Sequence, residues 1–417
     1  GTPQLMAEAD TPLLRNRDFL LFVATRTGNV FGLQALTTAV LWYVYLLTGN
    51  PMDIGYIGLA QFAPALLLFL VAGIAADRID RRIILSTSNA VHAIVTAALM
   101  VLLAGGAASM NVILALLVVH GVARAFYHTA SQAILPALVP AAQFPNAIAW
   151  SGSSSKAAQL GGPAIAGVLI AYAGDGVYWV ILAVFAMSAI TALMIRHRHP
   201  ATAPERVTLA SITAGFGYIW RTKVVLGAIS IDLMAVLFGG VMAILTIYAQ
   251  DILKVGPDGL GLMRAMPGVG SLIVGLALAQ LAAPRHMGIA MFAALGVFGL
   301  SIIIFSLSEV FWLSLLALAV YGAADMVSVY VRQTLTQIAT PDAMRGRVSA
   351  VNSVSINASN ELGDFRAGMM AAAIGVVPAV LAGGVITCGV TLLWMRLFPG
   401  IAAIDRLRDV ARPDESR

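Results

Sequence analysis

Arg124 and Asp325 each sit near the middle of a long apolar segment, where a charge can bind an opposite charge or pass a proton. A charge at the centre of a bilayer costs at least about 2.5–3.5 kcal/mol, so such residues must face a partner or water. Other ionisable residues share the setting: Arg26, Lys156, Arg264, Arg332 and Arg366 among the cations, Asp232, Glu361 and Asp364 among the acids. Their spacing is helical. His120, Arg124, His128 and Gln132 recur at four-residue steps. Tyr321, Asp325, Ser328 and Arg332 fall on one helical face, as do Asn357, Asn360, Glu361 and Asp364, with Ser353 one turn earlier; Lys156 and Gln159 lie together. Such stripes wet one side of a helix while the other side meets lipid or protein.

Carboxylates in a partly dry cavity can load and release protons near neutral pH. That makes Asp325, Glu361, Asp364 and Asp232 the candidates for proton coupling. Arg26, Arg124, His128, Lys156, Arg332 and Asn357 are the candidates for lining a substrate cavity. The plainer alternative is that the charges only tie helices together. On that reading Arg26 and Asp232 form a static pair, Arg366 pairs with Asp364 or Glu361, and Arg264 snorkels from near a helix end. A lone membrane histidine is more often a packed hydrogen-bond partner than a working group.

The elements that must carry these residues are membrane helices. The chain is 59% hydrophobic and 11% charged, against roughly 25% charged in soluble domains. Apolar runs of about 20 residues, each long enough to cross a bilayer, recur along its length. Twelve spans are expected, over 18–48, 53–76, 83–104, 111–137, 143–173, 176–196, 224–250, 258–283, 287–307, 310–338, 345–373 and 376–397. This divides the chain into an N-terminal segment (1–17), a six-helix bundle (18–196), a polar linker (197–223), a second six-helix bundle (224–397) and a tail (398–417). Within the linker, Val207–Trp220 can lie along the membrane surface as an amphipathic helix. Gly1–Leu5 reads as an expression scar before a native start at Met6, and no cleavable signal peptide is visible.

Basic residues gather in the loops on one side, including Arg15, Arg17, Arg78, Arg81, Arg82, Arg196, Arg198, Arg206, Arg221, Lys223, Arg285, Arg345 and Arg347. The other side clearly receives only Lys254. The positive-inside rule then puts both termini in the cytoplasm. A formal charge of +5 spread over short loops does not build a nucleic-acid surface. The single cysteine, Cys388, excludes an internal disulfide and any multi-cysteine metal site. No close pair of His, Cys or Asp ligands in a span suggests a metal site, and no His-Glu-x-x-His or nucleophile–base pattern suggests an enzyme.

The chain also repeats itself. A shift of 201 residues aligns Gly121-Val-Ala-Arg124 with Gly322-Ala-Ala-Asp325 without gaps, and pairs Gln132 with Gln333, Pro140 with Pro341, Gly162 with Gly363 and Gly167 with Gly368. Two copies of one membrane unit, with opposite charges at equivalent depths, are the layout of a transporter with its site between the halves.

The loop after the second span reads Gly73-Ile-Ala-Ala-Asp77-Arg78-Ile-Asp80-Arg81-Arg82. It resembles the loop motif of the major facilitator superfamily, Gly-x-Leu-Ala-Asp-Arg-x-Gly-Arg-Arg/Lys, with Ala75 for Leu and Asp80 for Gly. The resemblance implies a conformational latch of Gly73, Asp77, Arg78, Arg81 and Arg82. In it Asp77 docks near Arg345–Arg347, and the arginines grip acidic groups of other helices and lipid phosphate. The equivalent later loop, Ala283–Gly288, is degenerate. Gly162-Pro163-Ala-Ile-Ala-Gly167 looks like the Gly-Pro core of the fifth-span motif in proton-coupled exporters of that superfamily. Arg15-Asn-Arg-Asp-Phe19, Asn146-Ala-Ile-Ala149, Pro341–Arg347 and Asn360-Glu-Leu-Gly363 are similar to the bacterial branch that contains the enterobactin exporter and macrolide efflux proteins.

The expected fold is therefore an all-α membrane protein, twelve transmembrane helices in two pseudo-symmetric six-helix halves, the major facilitator fold. What the resemblance implies is a monomeric secondary transporter of the bacterial inner membrane. It would need no cofactor beyond the proton gradient, and its partners would be a small-molecule substrate and the bilayer. Proton-coupled export of a small amphiphile, such as a siderophore or drug, leads. A lysophospholipid flippase of the same fold and a divalent-metal exporter are the alternatives.

Overall fold

In the computed structural model, residues 13–106, 108–196, 209–280 and 286–404 are described. The start at Met6, Arg198, Arg206, Arg285 and the tail beyond 404 lie outside them. Among the described residues every regular element is helical. The helices are α1 (Arg17–Thr48), α2 (Pro51–Leu67), α3 (Phe69–Arg78), α4 (Arg81–Ala104), α5 (Met110–Leu138), α6 (Phe144–Ala173), α7 (Val177–Met194), α8 (Leu209–Arg221), α9 (Lys223–Gly239), α10 (Leu245–Ile247), α11 (Pro257–Gln280), α12 (Met287–Leu307), α13 (Phe311–Ile338), α14 (Asp342–Ile374), α15 (Val376–Leu397) and α16 (Pro399–Ala402).

Twelve spans follow from these helices. Length and apolarity alone identify eight segments, one of them the 51-residue stretch Phe144–Met194. That stretch is too long for one crossing at 1.5 Å per residue. It turns at Gly174, whose φ of +53° suits glycine, and so supplies two spans, α6 and α7. The other three fail the test for physical reasons. α2 with α3, and α9 with α10, are single spans interrupted near their middles, and α14 carries the polar stripe from Asn352 to Asp364. At Leu68 the helix bends without losing its ladder, since Leu68 N–H still reaches Pro64 O at 2.9 Å and Ala72 N–H reaches Leu68 O at 2.8 Å.

α8 forms within the segment expected to be an amphipathic helix. Its 13 residues span about 20 Å at 1.5 Å each, and it meets α9 at a bend of 106°. Tyr218 donates to Ala339 O at 2.6 Å, and Ile219 is buried with Val225, Val348 and Val351. Phe216 and Trp220 stay exposed and stack on one another.

By packing, the chain divides into two units. One comprises residues within 1–43 and 60–206, the other residues within 44–59 and 207–417. The first unit closes its arginine-rich end around Phe19, Phe22, Leu85, Tyr127 and Ile195. In the second, Ile231, Met291, Phe292, Leu295, Val331 and Leu335 form the corresponding cluster. The end of α1 and the start of α2 group with the second unit because glycine lets them. A Cβ on Gly368 would lie 2.8 Å from Gly55 N, and Tyr45 Oη donates to Asp251 Oδ2.

Candidate functional site

In the first unit the polar side chains gather on α1, α5 and α6. Arg26 Nη1 donates to Ser151 Oγ at 3.2 Å, joining α1 to α6. Arg124 is half-buried on α5, and His128 and Gln132 are exposed one and two turns further on. Arg26 and Arg124 are the charges that bear on His128. Lys156, also exposed, donates to Gln159 Oε1 at 3.0 Å on its own helix. The cavity candidates in this unit, Arg26, Arg124, His128 and Lys156, are all basic, so its polar face is cationic.

His120 leaves the stripe to which its spacing assigned it. It is buried, its Nδ1 lies 2.9 Å from Nδ1 of His92 on α4, and both rings pack on Phe185. The four-residue step drifts round a 3.6-residue helix, and one end of such a stripe turns inward.

The second unit holds a cavity of about 100 Å³ lined by Asp232 of α9, Asp325, Arg332, Gln333 and Thr336 of α13, and Asn352 and Asn360 of α14. Arg332 Nη1 and Asp232 Oδ2 form an ion pair at 2.6 Å, with both residues nearly buried at 6% and 5% exposure. Arg332 Nε also donates to Ser328 Oγ at 3.1 Å. The static Arg26–Asp232 pair expected from depth alone is thereby corrected, for each residue finds its partner within its own unit. Three sequence candidates, Asp232, Asp325 and Arg332, come together here. Asn357 and Glu361 sit on the neighbouring stripe of α14, Asn357 exposed and Glu361 beside Gly58 of α2. Gln333, Thr336 and Asn352 were missed as lining residues. The four-residue step Asn352, Ile356, Asn360 was the available signal.

One further expectation changes. Arg264 does not snorkel. It is buried at 9% exposure and donates to Met242 O at 3.1 Å. Arg366 Nη2 donates to Phe238 O at 2.8 Å, while Asp364 of its own helix is the charge that bears on it. Asp364 accepts from Ala243 N–H at 3.3 Å.

The loop between α3 and α4 also departs from expectation. Arg81 Nη1 donates to Ala133 O at 2.7 Å, next to the ladder opened by Pro136. Arg82 Nη1 donates to Ile195 O at 3.1 Å, and its Nε pairs with Asp80 at 2.7 Å. Among the described residues these arginines thus hold backbone carbonyls of their own unit rather than acids of other helices. Asp80 replaces the motif glycine with an N-cap, accepting from Arg82 N–H at 3.1 Å. Arg78 is exposed, and the Asp77 side chain lies outside the described residues. A Cβ added to Gly73 would meet nothing within 4 Å. Gly73→Ala is therefore expected to leave thermal stability unchanged or to raise it by up to about 1 kcal/mol through helix propensity. A melting curve checks this, and a drop would show a close approach at Gly73.

On α6, a Cβ on Gly162 would meet Gln34 Cβ of α1 at 2.8 Å, and Pro163 and Gly167 are buried. The Gly-Pro segment brings α6 against α1.

Known proteins share this architecture. A family model described as transmembrane secretion effector matches residues 9–408. The multidrug efflux pump Tap of Mycolicibacterium fortuitum is 28% identical over 384 residues, covering 87% of this chain and 91% of Tap. The enterobactin exporter EntS of Escherichia coli O1:K1 is 24% identical over 371 residues, 88% of each chain. Among solved structures, a bacterial homologue of the human lysosomal transporter Spinster, inward-facing and occupied, superposes with a TM-score of 0.72 at 14% identity. The match covers 94% of this chain and 99% of that one, and shows a shared fold.

Proposed function

The chain belongs to the transmembrane secretion effector family of major facilitator transporters, and we propose that it exports a small amphiphilic organic molecule, such as a siderophore or drug, in exchange for protons. The observation that carries this reading is the cavity of the second unit, where Asp325 shares about 100 Å³ with the Asp232–Arg332 pair and neutral polar side chains of α13 and α14. A volume of that size takes one polar group or about three waters, not a drug-sized molecule. It suits the headgroup of a larger cargo, or the water that delivers a proton to Asp325. The likeness to Tap, a multidrug efflux pump, and to EntS, an enterobactin exporter, supports organic cargo.

In this reading the transporter works by alternating access. It sits in the bacterial inner membrane as a monomer with both termini cytoplasmic, and the proton gradient is its energy source. Asp325, Glu361, Asp364 and Asp232 are the groups that carry or answer the proton. Arg26, Arg124, His128, Lys156, Arg332 and Asn357 receive cargo, and the cationic face of the first unit favours a substrate with an anionic group.

The test is thermal stabilisation of purified protein at two pH values. The panel is enterobactin, a macrolide, a cationic dye, a lysophospholipid and divalent metals. A pH-dependent shift with an organic compound, reduced in Asp325→Asn, supports the proposal. Stabilisation by lysophospholipid alone points to a flippase, and by metals alone overturns the cargo class. In proteoliposomes, Asp325→Asn is expected to abolish pH-gradient-driven flux of the compound that binds, with the gel-filtration profile unchanged. Flux at the native rate would remove Asp325 from coupling.

A further inference from the structure

The seventh span is broken inside the membrane. α9 ends at Gly239, Gly240 is extended at φ −61° and ψ 123°, and helix resumes only at Leu245. Each unpaired backbone group costs several kcal/mol in hydrocarbon, so a break there survives only where neighbours take up the freed groups. Here charged side chains do so. Arg366 Nη2 of α14 donates to Phe238 O at 2.8 Å, and Arg264 Nη1 of α11 donates to Met242 O at 3.1 Å. On the far side of the break, Ala243 N–H donates to Asp364 Oδ1 of α14 at 3.3 Å. The backbone around the break is held close as well. A Cβ on Gly363 would lie 2.8 Å from Val236 O, and one on Gly383 would lie 2.5 Å from Phe238 O.

Permanent glue would be fully bonded, and this set is not. Among the described residues the Nε–H groups of Arg264 and Arg366 are both buried without a hydrogen-bond partner. Buried orphan donors are rare and call for an explanation. A second arrangement of the same side chains, in which those donors find acceptors, supplies one. The member best placed to trigger the exchange is Asp364. Its contact is the longest of the three, and it alone can gain a proton and lose its charge. The groups that bear on it are Glu361 and Arg366 of its own helix, Arg264 of α11 and Tyr321 of α13, with Gly58 of α2 against its Cβ.

We propose that Asp364, Arg264 and Arg366 form a releasable clamp on a hinge in the seventh span, opened when Asp364 takes up a proton. The charged carboxylate holds the Ala243 amide and balances two guanidinium groups. The neutral acid holds the amide more weakly and leaves both guanidinium groups uncompensated, so the segment from Phe238 to Ala243 loosens. All three are positioning residues: they act on the span, not on the cargo. The link from hinge to transport rests on the proton-coupled reading above. The hinge itself does not, and it is tested without cargo.

The experiment is hydrogen–deuterium exchange by mass spectrometry on the full chain in lipid nanodiscs, following peptides across 236–248 at pH 5 and pH 8. After correction for intrinsic rates, the native protein is expected to exchange about tenfold faster at pH 5, the factor expected for losing a charged hydrogen bond. Peptides of α12 should show no such difference. Asp364→Asn should remove the pH dependence, while Arg366→Lys, which keeps a donor for Phe238 O, should retain it. Equal protection of the native hinge at both pH values overturns the clamp, and that measurement needs no variant. Unchanged pH dependence in Asp364→Asn overturns the role of Asp364. Loss of organic-compound binding with the hinge response intact would sink the transport reading alone.

Discussion

Leucine at Gly322 will prevent the second unit from assembling. A Cβ at Gly322 of α13 would lie 1.8 Å from Pro267 O of α11, and the reciprocal Cβ on Gly270 of α11 would lie 1.8 Å from Ala319 O of α13. Both neighbours are backbone, so no side-chain rotation relieves the overlap. The helices must separate by more than about 1 Å along their tightest contact. That breaks the bond from Ser271 Oγ to Gly322 O, now 2.8 Å, and strips dispersion contacts from the whole seam. Overpacking commonly costs about 1–3 kcal/mol even where side chains can give way, so Gly322→Ala should cost at least about 3 kcal/mol and Gly322→Leu should leave little folded protein. Gel filtration and thermal melting in detergent check this. Gly296→Ala on α12, where nothing lies within 4 Å, is the control. A Gly322→Ala protein that melts like the native one would show that the seam is looser than the backbone distances say.

That seam shows how much of the molecule could be read in the sequence. The 201-residue shift pairs Gly322 with Gly121, and a Cβ at Gly121 of α5 would lie 2.4 Å from Gln61 O of α2. Equivalent glycines therefore admit the backbone of an equivalent neighbour, the second span of each half. The repeat was legible because close approach demands glycine, and glycine leaves a mark in sequence. Spans were legible for a similar reason, since twenty apolar residues have one common use. α4 and α15 differ from expectation by no more than two residues.

The partners of the charges were not legible. Depth along a helix suggested Arg26 for Asp232, but pairing depends on rotation about the axis, and Arg332 faces Asp232 across α9 and α13. The break at Gly240 was hidden because Gly239-Gly240 lies in an unbroken apolar run, and glycine pairs also occur inside continuous membrane helices. Once the break is known, Arg264, Asp364 and Arg366 acquire backbone partners that no side-chain pattern could have named. His120 was assigned to a polar stripe because its packing partner, His92, lies on a different span.

Arg332→Met is the second large effect. It leaves Asp232, at 5% exposure, without the guanidinium that lies 2.6 Å from it. Removing one partner of a buried ion pair costs about 3–5 kcal/mol, because the remaining charge keeps its desolvation penalty and loses the compensation. Replacing both partners with apolar groups of similar size is often neutral or stabilising. The expected order of melting temperatures is thus native and Asp232→Leu/Arg332→Met together at the top, with Arg332→Met well below. If the double variant melts as low as the single one, the pair is bonded into its surroundings more widely than Ser328 indicates. The same double variant separates architecture from work. Hydrophobic residues could fill this corner of the cavity at no loss of stability, so an ion pair kept beside Asp325 needs another purpose. A double variant that folds like the native protein, yet no longer lowers accumulation of a fluorescent amphiphilic dye in cells, would give it one: the pair would serve transport. Native dye export by that variant would return Asp232 and Arg332 to the scaffold and leave Asp325 as the cavity's only working charge among the described residues.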